Sequence, residues 1–240
     1  STNLLLASNL LTNSESPIKK LLNIYNRKKA ENSENGLKET AELSDTLIDK
    51  KSMVDAYEDL EQKAQEVLEQ AMSEETIDSI KLAERKSIAQ QMSFLRTLAG
   101  KEFFRIPIET ENGITNMNLT IVRGTGVAGK VTVNLWSETL GHMKAEISLK
   151  DEKLNGYIVC DHQDSLDVLQ KNYEILDQVA KEEGLIMQKF DYILQKKEIE
   201  GSHYSSGNED NTATDMERKL YRLAKAMVLT VRAAEKEKVN

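Results

Sequence analysis

The segment IVRGTGVAGKVTVNL, residues 121–135, has the glycine spacing of two nucleotide-binding motifs. Its glycines fit G-x-G-x-x-G, and the stretch from Gly124 to Lys130 begins like the G-x-x-x-x-G-K of a P-loop. Both motifs require a helix directly after the glycines, because the helix N-terminus holds the phosphates. Here the alternating, β-branched VTVNLW follows, and Val131 stands where a P-loop has its magnesium-binding hydroxyl. The pattern therefore predicts a hairpin loop between two strands and no nucleotide cofactor.

The other residues that could do chemistry form no pattern typical of a catalytic or metal site. His142, His162 and His203 are far apart and form no H-x-x-x-H or H-E-x-x-H pair. No G-x-S-x-G element is present, and the 40 carboxylates are interspersed with Lys and Arg, as on solvated helix faces. The single cysteine, Cys160, lies in the apolar run GYIVC and is predicted to be a buried, inert thiol. We therefore predict no catalytic residue, no metal and no cofactor.

Composition restricts the class of partner. The 240 residues are 39% hydrophobic and 30% charged, as expected of a soluble, folded protein. A net charge of −8 argues against a nucleic-acid partner, which needs a surplus of Lys and Arg facing the phosphates. No apolar run approaches the ~20 residues needed to span a bilayer, so no membrane insertion is expected. The opening STNLLLASNLL lacks the basic start of a signal peptide, and a cytoplasmic protein is expected.

Apolar spacing predicts a helical region over residues 1–100. From Met53 onward apolar residues recur every three or four positions, and a second stripe of this kind ends near Leu98, before Gly100. The two stripes could pair between chains as coiled coils or pack against each other within one chain. Packing within one chain is the preferred interpretation. The oligomeric state itself is not determined by the sequence.

A change of period, from about 3.6 to 2, marks a second region over residues 101–198. Strands are predicted at NMNLTIVR, KVTVNLW, KAEISLK, LNGYIVC and LIMQKFDYI. A helix is predicted from Asp164 to Glu183, closed by Gly184, between the last two strands. This region is expected to form a small α/β domain with a mixed sheet.

The C-terminal part contains a polar segment and one more helix. Residues 199–214 are rich in Gly and Ser and predict a flexible linker or loop. Residues 215–238 form an amphipathic helix that needs a partner, and we expect it to dock on the N-terminal helices. The predicted fold class is therefore α+β: a helical N-terminal part, a small mixed-sheet domain and a C-terminal helix.

One segment has a recognisable order of elements. Residues 133–193 contain an L…L-G element, formed by Leu135, Leu140 and Gly141, with Ser137 two positions after the first leucine. The strand pair MKAEISLKDEKLNGYIVC, the helix and glycine SLDVLQKNYEILDQVAKEEGL and a final strand follow. This order resembles the C-terminal domain of bacterial flagellar hook-length control proteins, in which the first element is L-x-P-x-x-L-G. The resemblance covers about a quarter of the chain, and serine replaces the proline.

The resemblance implies a non-enzymatic role in protein binding. Hook-length control proteins are exported by the flagellar secretion apparatus, and their C-terminal domain contacts the export gate and switches its preference from hook to filament components. The resemblance places the first surfaces to test at the Leu140–Gly141 turn and at the helix from Asp164 to Glu183. Trp136 is either a core residue at a strand corner or an anchor for a partner, and the core is the preferred interpretation.

A second hypothesis belongs to a different class of protein. The chain would be a structural or scaffolding protein that assembles through its helical region and has no flagellar role. A helix-mediated oligomer in solution would favour this hypothesis, whereas a monomer with affinity for an export-gate protein would favour the first.

Overall fold

The computed structural model describes residues 47–73, 82–110, 113–124, 128–195 and 214–239. These residues divide into two compact units. One unit contains residues 55–73 and 82–97, and the other contains residues 47–54 and the described residues from 98 onward. The α+β class is confirmed, because helices and a six-stranded mixed sheet are both present. Most of the predicted linker, residues 199–213, lies outside the described residues.

Two long helices lie where apolar residues recur every three or four positions. Helix α1 spans Lys50–Ser73 and helix α2 spans Leu82–Ala99. The guanidinium of Arg96 in α2 lies 3.5 Å from the Glu58 carboxylate and 3.4 Å from that of Glu61, both in α1. These ion pairs join the two helices within one chain.

The second unit is built on a sheet whose strands follow one another in chain order. The strands are β1 Phe103–Thr110, β2 Gly113–Arg123, β3 Ala128–Ser137, β4 Gly141–Lys150, β5 Lys153–Cys160 and β6 Ile186–Leu194. The first five strands pair antiparallel, and β6 pairs parallel with β5. The sheet is mixed because β6 is reached through a helical crossover, which a parallel connection requires.

The glycine-rich segment connects the two strands of a hairpin. Strands β2 and β3 pair antiparallel up to Arg123 and Gly129, and the Gly124 amide donates a hydrogen bond to the Ala128 carbonyl at 2.9 Å. Residues 125–127 lie outside the described residues. Because a strand follows the glycines, the segment lacks the helix N-terminus that both nucleotide-binding motifs use. The hairpin prediction is confirmed.

Strand β1, at one edge of the sheet, is not among the strands that the sequence predicted. Its residues Phe104, Ile106 and Ile108 alternate into the core and are each at most 1% exposed. Pro107 lies between them, and proline argues against a strand because it has no amide for the ladder. An edge strand tolerates proline, since one side of its backbone has no neighbouring strand to bond.

The charged turn between β4 and β5 determines the register of that hairpin. Asp151 and Glu152 have φ of 49° and 62°, the pair of positive values that a two-residue type I′ turn requires. At the far end of the hairpin Met143 pairs with Cys160. Burial raises the pKa of the Cys160 thiol to about 12, which agrees with the predicted inert thiol.

Two short helices form the crossover from β5 to β6. Helix α3 spans Gln163–Lys171 and helix α4 spans Glu174–Glu182. The prediction of one helix over residues 164–183 was wrong, because the chain leaves the helical path at Asn172. The Asn172 side-chain amide donates to the Val168 carbonyl at 2.9 Å, and asparagine favours helix ends through such local bonds. Gly184, with φ of 67°, follows α4 as predicted.

The C-terminal helix α5, Thr214–Val239, packs on the sheet. It also contacts α3 and α4. At Gly129 an added β-carbon would lie 2.4 Å from Cδ1 of Leu220, so the missing side chain allows α5 to approach β3 closely. We expected this helix to dock on the N-terminal helices. The sheet and the crossover helices are the partner that sequence reasoning missed.

Four polar side chains, the Glu102 cluster (Glu102, Arg123, Glu217 and Tyr221), hold the first turns of α5 against the sheet. Arg123 Nη2 donates to Glu102 Oε1 at 2.6 Å and to Glu217 Oε1 at 2.9 Å. Tyr221 Oη donates to Glu102 Oε1 at 3.1 Å. Burial acts to lower the pKa of Arg123, but the hydrogen bond and charge of Glu102 outweigh it and raise that pKa. The guanidinium is therefore charged and paired.

Candidate functional site

The turn that carries the predicted binding residues connects β3 to β4. Ser137 and Gly141 pair across it. The Leu140 amide donates a hydrogen bond to Ser137 Oγ at 2.9 Å. Gly141 has φ of 72°, in the left-handed region that favours glycine. The Ser137 hydroxyl and the Gly141 backbone together set the shape of the turn.

The three residues that the sequence singled out differ in exposure. Trp136 is 50% exposed, whereas Leu140 is fully buried. Gly141 is buried too, and an added β-carbon would lie 2.3 Å from Oδ1 of Asp161. The preferred interpretation of Trp136 as a core residue was wrong. Leu140 ties the turn to the core, so Trp136 is the one of these three whose side chain a partner can contact.

Two histidines that are distant in the sequence meet at one aspartate beside Trp136. The His142 ring lies 6.2 Å from the Trp136 ring between centroids, at an angle of 56°. The His142 amide donates to both carboxylate oxygens of Asp161 at 3.1 Å. His162 Nδ1 lies 2.7 Å from Asp161 Oδ1. We call Trp136, His142, Asp161 and His162 the turn patch.

The register of two hairpins could have identified this patch from the sequence. A three-residue connection places Trp136 opposite His142. The two-residue turn after β4 places Met143 opposite Cys160, so His142 comes to lie beside Asp161. Apolar alternation locates these strands but not their register, so sequence reasoning missed the patch formed by His142, Asp161 and His162.

The turn patch has the composition of a recognition surface. An exposed indole, two imidazoles and a carboxylate provide apolar area together with hydrogen-bonding groups, the combination common at protein interfaces. An aspartate–histidine pair can orient a base, but nucleophilic catalysis also needs a nucleophile within reach of that base. Cys160 precedes Asp161 in the chain, yet it is fully buried and its pKa is raised to about 12 by burial, so it supplies no thiolate.

Two further observations apply to the described part of the chain. No group of three His, Cys, Asp or Glu side chains converges there in a way that could hold a metal ion. His203, the third histidine, lies outside the described residues. None of the described helices has the length and apolarity that a membrane crossing requires.

The last turns of α5 support the turn patch from inside the protein. Ser137 Oγ donates a hydrogen bond to Oε1 of Glu235, which is 1% exposed. Lys238 Nζ donates to the Thr139 carbonyl and to Ser165 Oγ, both at 2.8 Å. The turn is therefore held in one conformation by a helix that is far from it in the sequence.

A substitution at Glu235 tests this support. Burial raises the pKa of the Glu235 carboxyl, although hydrogen bonds from Ser137 and Thr139 and the charge of Lys238 oppose the shift. The unfolded chain then ionises at lower pH than the folded protein, so this group costs stability as pH rises above its ordinary value. We expect Glu235→Gln to gain stability relative to the wild type as pH rises above 4.5, measured by urea unfolding.

The alanine variant is the matched control. Glu235→Ala leaves the buried Ser137 hydroxyl without an acceptor and is expected to cost about 1–3 kcal/mol at pH 7. A stability difference between wild type and Glu235→Gln that does not change with pH would contradict the raised pKa. Equal stabilities of the Gln and Ala variants would contradict the role of the hydrogen bond.

In comparisons with protein-family models, curated proteins and solved structures, nothing matches this chain. The resemblance to hook-length control proteins therefore stays a prediction, and functional inference rests on the residues and their geometry.

Proposed function

We propose that this chain is a non-enzymatic, protein-binding component of the flagellar export system, and that it contacts its partner through the turn patch. The observation that supports this binding surface is the half-exposed side chain of Trp136 at the end of β3. The turn that follows Trp136 is held by the Leu140–Ser137 hydrogen bond and by Lys238 of α5. Tryptophan is enriched among the residues that dominate binding energy at interfaces. A turn that is already ordered loses little conformational freedom on binding, which favours affinity.

The identity of the partner rests on the resemblance. Strands β3, β4 and β5, the helical crossover and β6 follow one another in the order that the resemblance describes. The partner is then a component of the export gate, and the protein acts in the cytoplasm before it is itself exported. Its action would be recognition of a protein surface that switches export from hook to filament components.

Deletion of the gene tests the flagellar role. Overlong hooks without filaments, seen by electron microscopy in the organism that carries the gene, are the expected result. Hooks of normal length together with normal swimming would overturn the flagellar part of the proposal. Restoration by a plasmid copy of the gene separates the effect from damage to neighbouring genes.

A binding measurement tests the turn patch. Trp136→Ala is expected to weaken binding to the export-gate protein about 30-fold or more, since a central tryptophan typically contributes at least ~2 kcal/mol. Titration calorimetry with the purified gate protein measures this change. Ile48→Ala is the matched control, because Ile48 is an apolar side chain that is 59% exposed outside the patch. Unchanged binding by Trp136→Ala would show that the interface lies outside the turn patch.

The scaffolding hypothesis stays the alternative. It requires apolar helix surfaces that join separate chains. Arg96 of α2 pairs with Glu58 and Glu61 of α1 in the same chain, and a helix-mediated oligomer in solution would favour this alternative.

A further inference from the structure

Strand β6 forms one edge of the sheet. Eight of its nine residues pair with β5 on one side, with a bulge at Gln188, and among the described residues no strand pairs with the other side. Three of its apolar residues are unusually open for their type: Ile186 is 60%, Ile193 42% and Leu194 38% exposed. An exposed strand edge with apolar side chains is a template for pairing with another strand.

The two edges of the sheet differ in how they are protected. Proline and unopposed charges are common devices that keep an edge strand from pairing. Strand β1 has Pro107 in its middle. Strand β6 contains no proline, and its two charged residues neutralise each other, since Lys189 Nζ lies 2.7 Å from Asp191 Oδ2. Among the described residues, the edge formed by β6 is therefore the less protected of the two.

Lys189 and Asp191 make β6 complementary to itself. They pair with Asn155 and Tyr157 of β5, so both lie on the same face of the sheet, with Phe190 between them on the other face. When two β6 strands run antiparallel about a two-fold axis through Phe190, Lys189 of each copy stands opposite Asp191 of the other. Opposite charges that face each other across a strand pair are stabilising.

The charges also select this register over its neighbour. A two-fold axis through Asp191 would place two aspartates opposite each other, and like charges in that position are destabilising. In the favoured register, the end of one strand that carries Ile193 and Leu194 lies beside the end of the other that carries Ile186. The exposed apolar side chains of both copies then lie close together at the two ends of the strand pair.

We infer that β6 is a homodimerisation edge, at which a second copy of this chain adds its own β6 to the sheet. The occupant is a second copy because the charge pattern of the strand matches its own reverse. A single antiparallel strand pair centred on Phe190 buries less surface than a standard interface, which buries about 800 Å² per partner. The dimer is therefore concentration-dependent.

The test is sedimentation velocity of the full chain over a range of concentrations. The wild type is expected to shift from monomer to dimer as concentration rises. Lys189→Asp and Asp191→Lys each place like charges opposite each other at both contacts, and each is expected to weaken dimerisation tenfold or more. Both side chains are exposed, so the fold is expected to persist, which circular dichroism checks.

Two combinations of these substitutions test the register. The double variant Lys189→Asp/Asp191→Lys restores opposite charges and is expected to dimerise as the wild type does. A mixture of the two single variants is expected to form a heterodimer, although each alone is monomeric. A wild type that stays monomeric, or single variants that dimerise normally, would overturn the inference. So would failure of the mixture to associate, or pairing of β6 with another protein in place of itself.

Discussion

Replacing Gly141 with alanine is expected to lower the free energy of unfolding by about 2–4 kcal/mol. Two costs add at this position. Its φ of 72° is strained for a residue with a β-carbon, and that carbon would lie 2.3 Å from Asp161 Oδ1 and 2.4 Å from His162 Nδ1. Relief of the clash must displace the aspartate that bonds the His142 amide, so the turn patch would change shape too. Chemical denaturation measures the stability loss.

Gly184 provides the matched control. It has a similar φ of 67°, but an added β-carbon there meets nothing within 4 Å. Gly184→Ala therefore carries only the backbone strain, about 1–2 kcal/mol. A loss at Gly141 no greater than that at Gly184 would show that Asp161 and His162 move away at little cost. The close packing of the turn against the start of α3 would then be contradicted.

Removal of the charge at the centre of the Glu102 cluster is the second large effect. Arg123→Met leaves the carboxylates of Glu102 and Glu217 without their cation and close to each other, while Tyr221 still donates to Glu102. Breaking a fully buried ion pair costs ~3–5 kcal/mol. Because the Arg123 side chain is 23% exposed, we expect a smaller loss of about 2–3 kcal/mol. Urea unfolding at pH 7 measures it.

An exposed ion pair of the same helix is the control. Lys171 lies 3.4 Å from Glu237 of α5, and both side chains are exposed. Lys171→Met is expected to change stability by less than about 1 kcal/mol. The double variant Arg123→Met/Glu102→Gln should recover part of the loss, since it removes one of the two unpaired carboxylates. A loss for Arg123→Met as small as that for Lys171→Met would mean that the Glu102 cluster does not hold α5.

Some of this structure follows from local sequence patterns. The glycine segment could be assigned to a hairpin because an alternating strand, not a helix, follows Gly129, and that alternation is visible in adjacent residues. The burial of Cys160 follows in the same way from the apolar run around it. Strand β1 was not predicted because Pro107 weakens the strand pattern. Whether a strand tolerates proline depends on its position at the edge of the sheet, which local sequence does not show.

Other features depend on local bonds that compete with a helix, or on residues that are far apart in the chain. The break at Asn172 rests on a local side-chain hydrogen bond that competes with the helix. The spacing of apolar residues does not reveal such a bond. The partner of α5 could not be inferred from its apolar stripe, because a stripe shows that a helix needs a partner without showing which one. The contact of Leu220 with Gly129 joins residues on opposite sides of the crossover.

The exposure of Trp136 depends partly on local sequence and partly on tertiary structure. Alternation along β3 sends Val133 and Leu135 to one face, and this period of two alone places Trp136 on the other. Whether the tryptophan is covered depends on which face α5 occupies, and α5 packs on the face of Gly129. In the strands that were predicted, the sequence by itself determined the period of two, the glycine hairpin and the face of each side chain, because those depend on neighbours along the chain. Only the tertiary structure decided which face was covered and brought His142 to Asp161 and its neighbour His162, because the His142–Asp161 contact joins residues 19 positions apart.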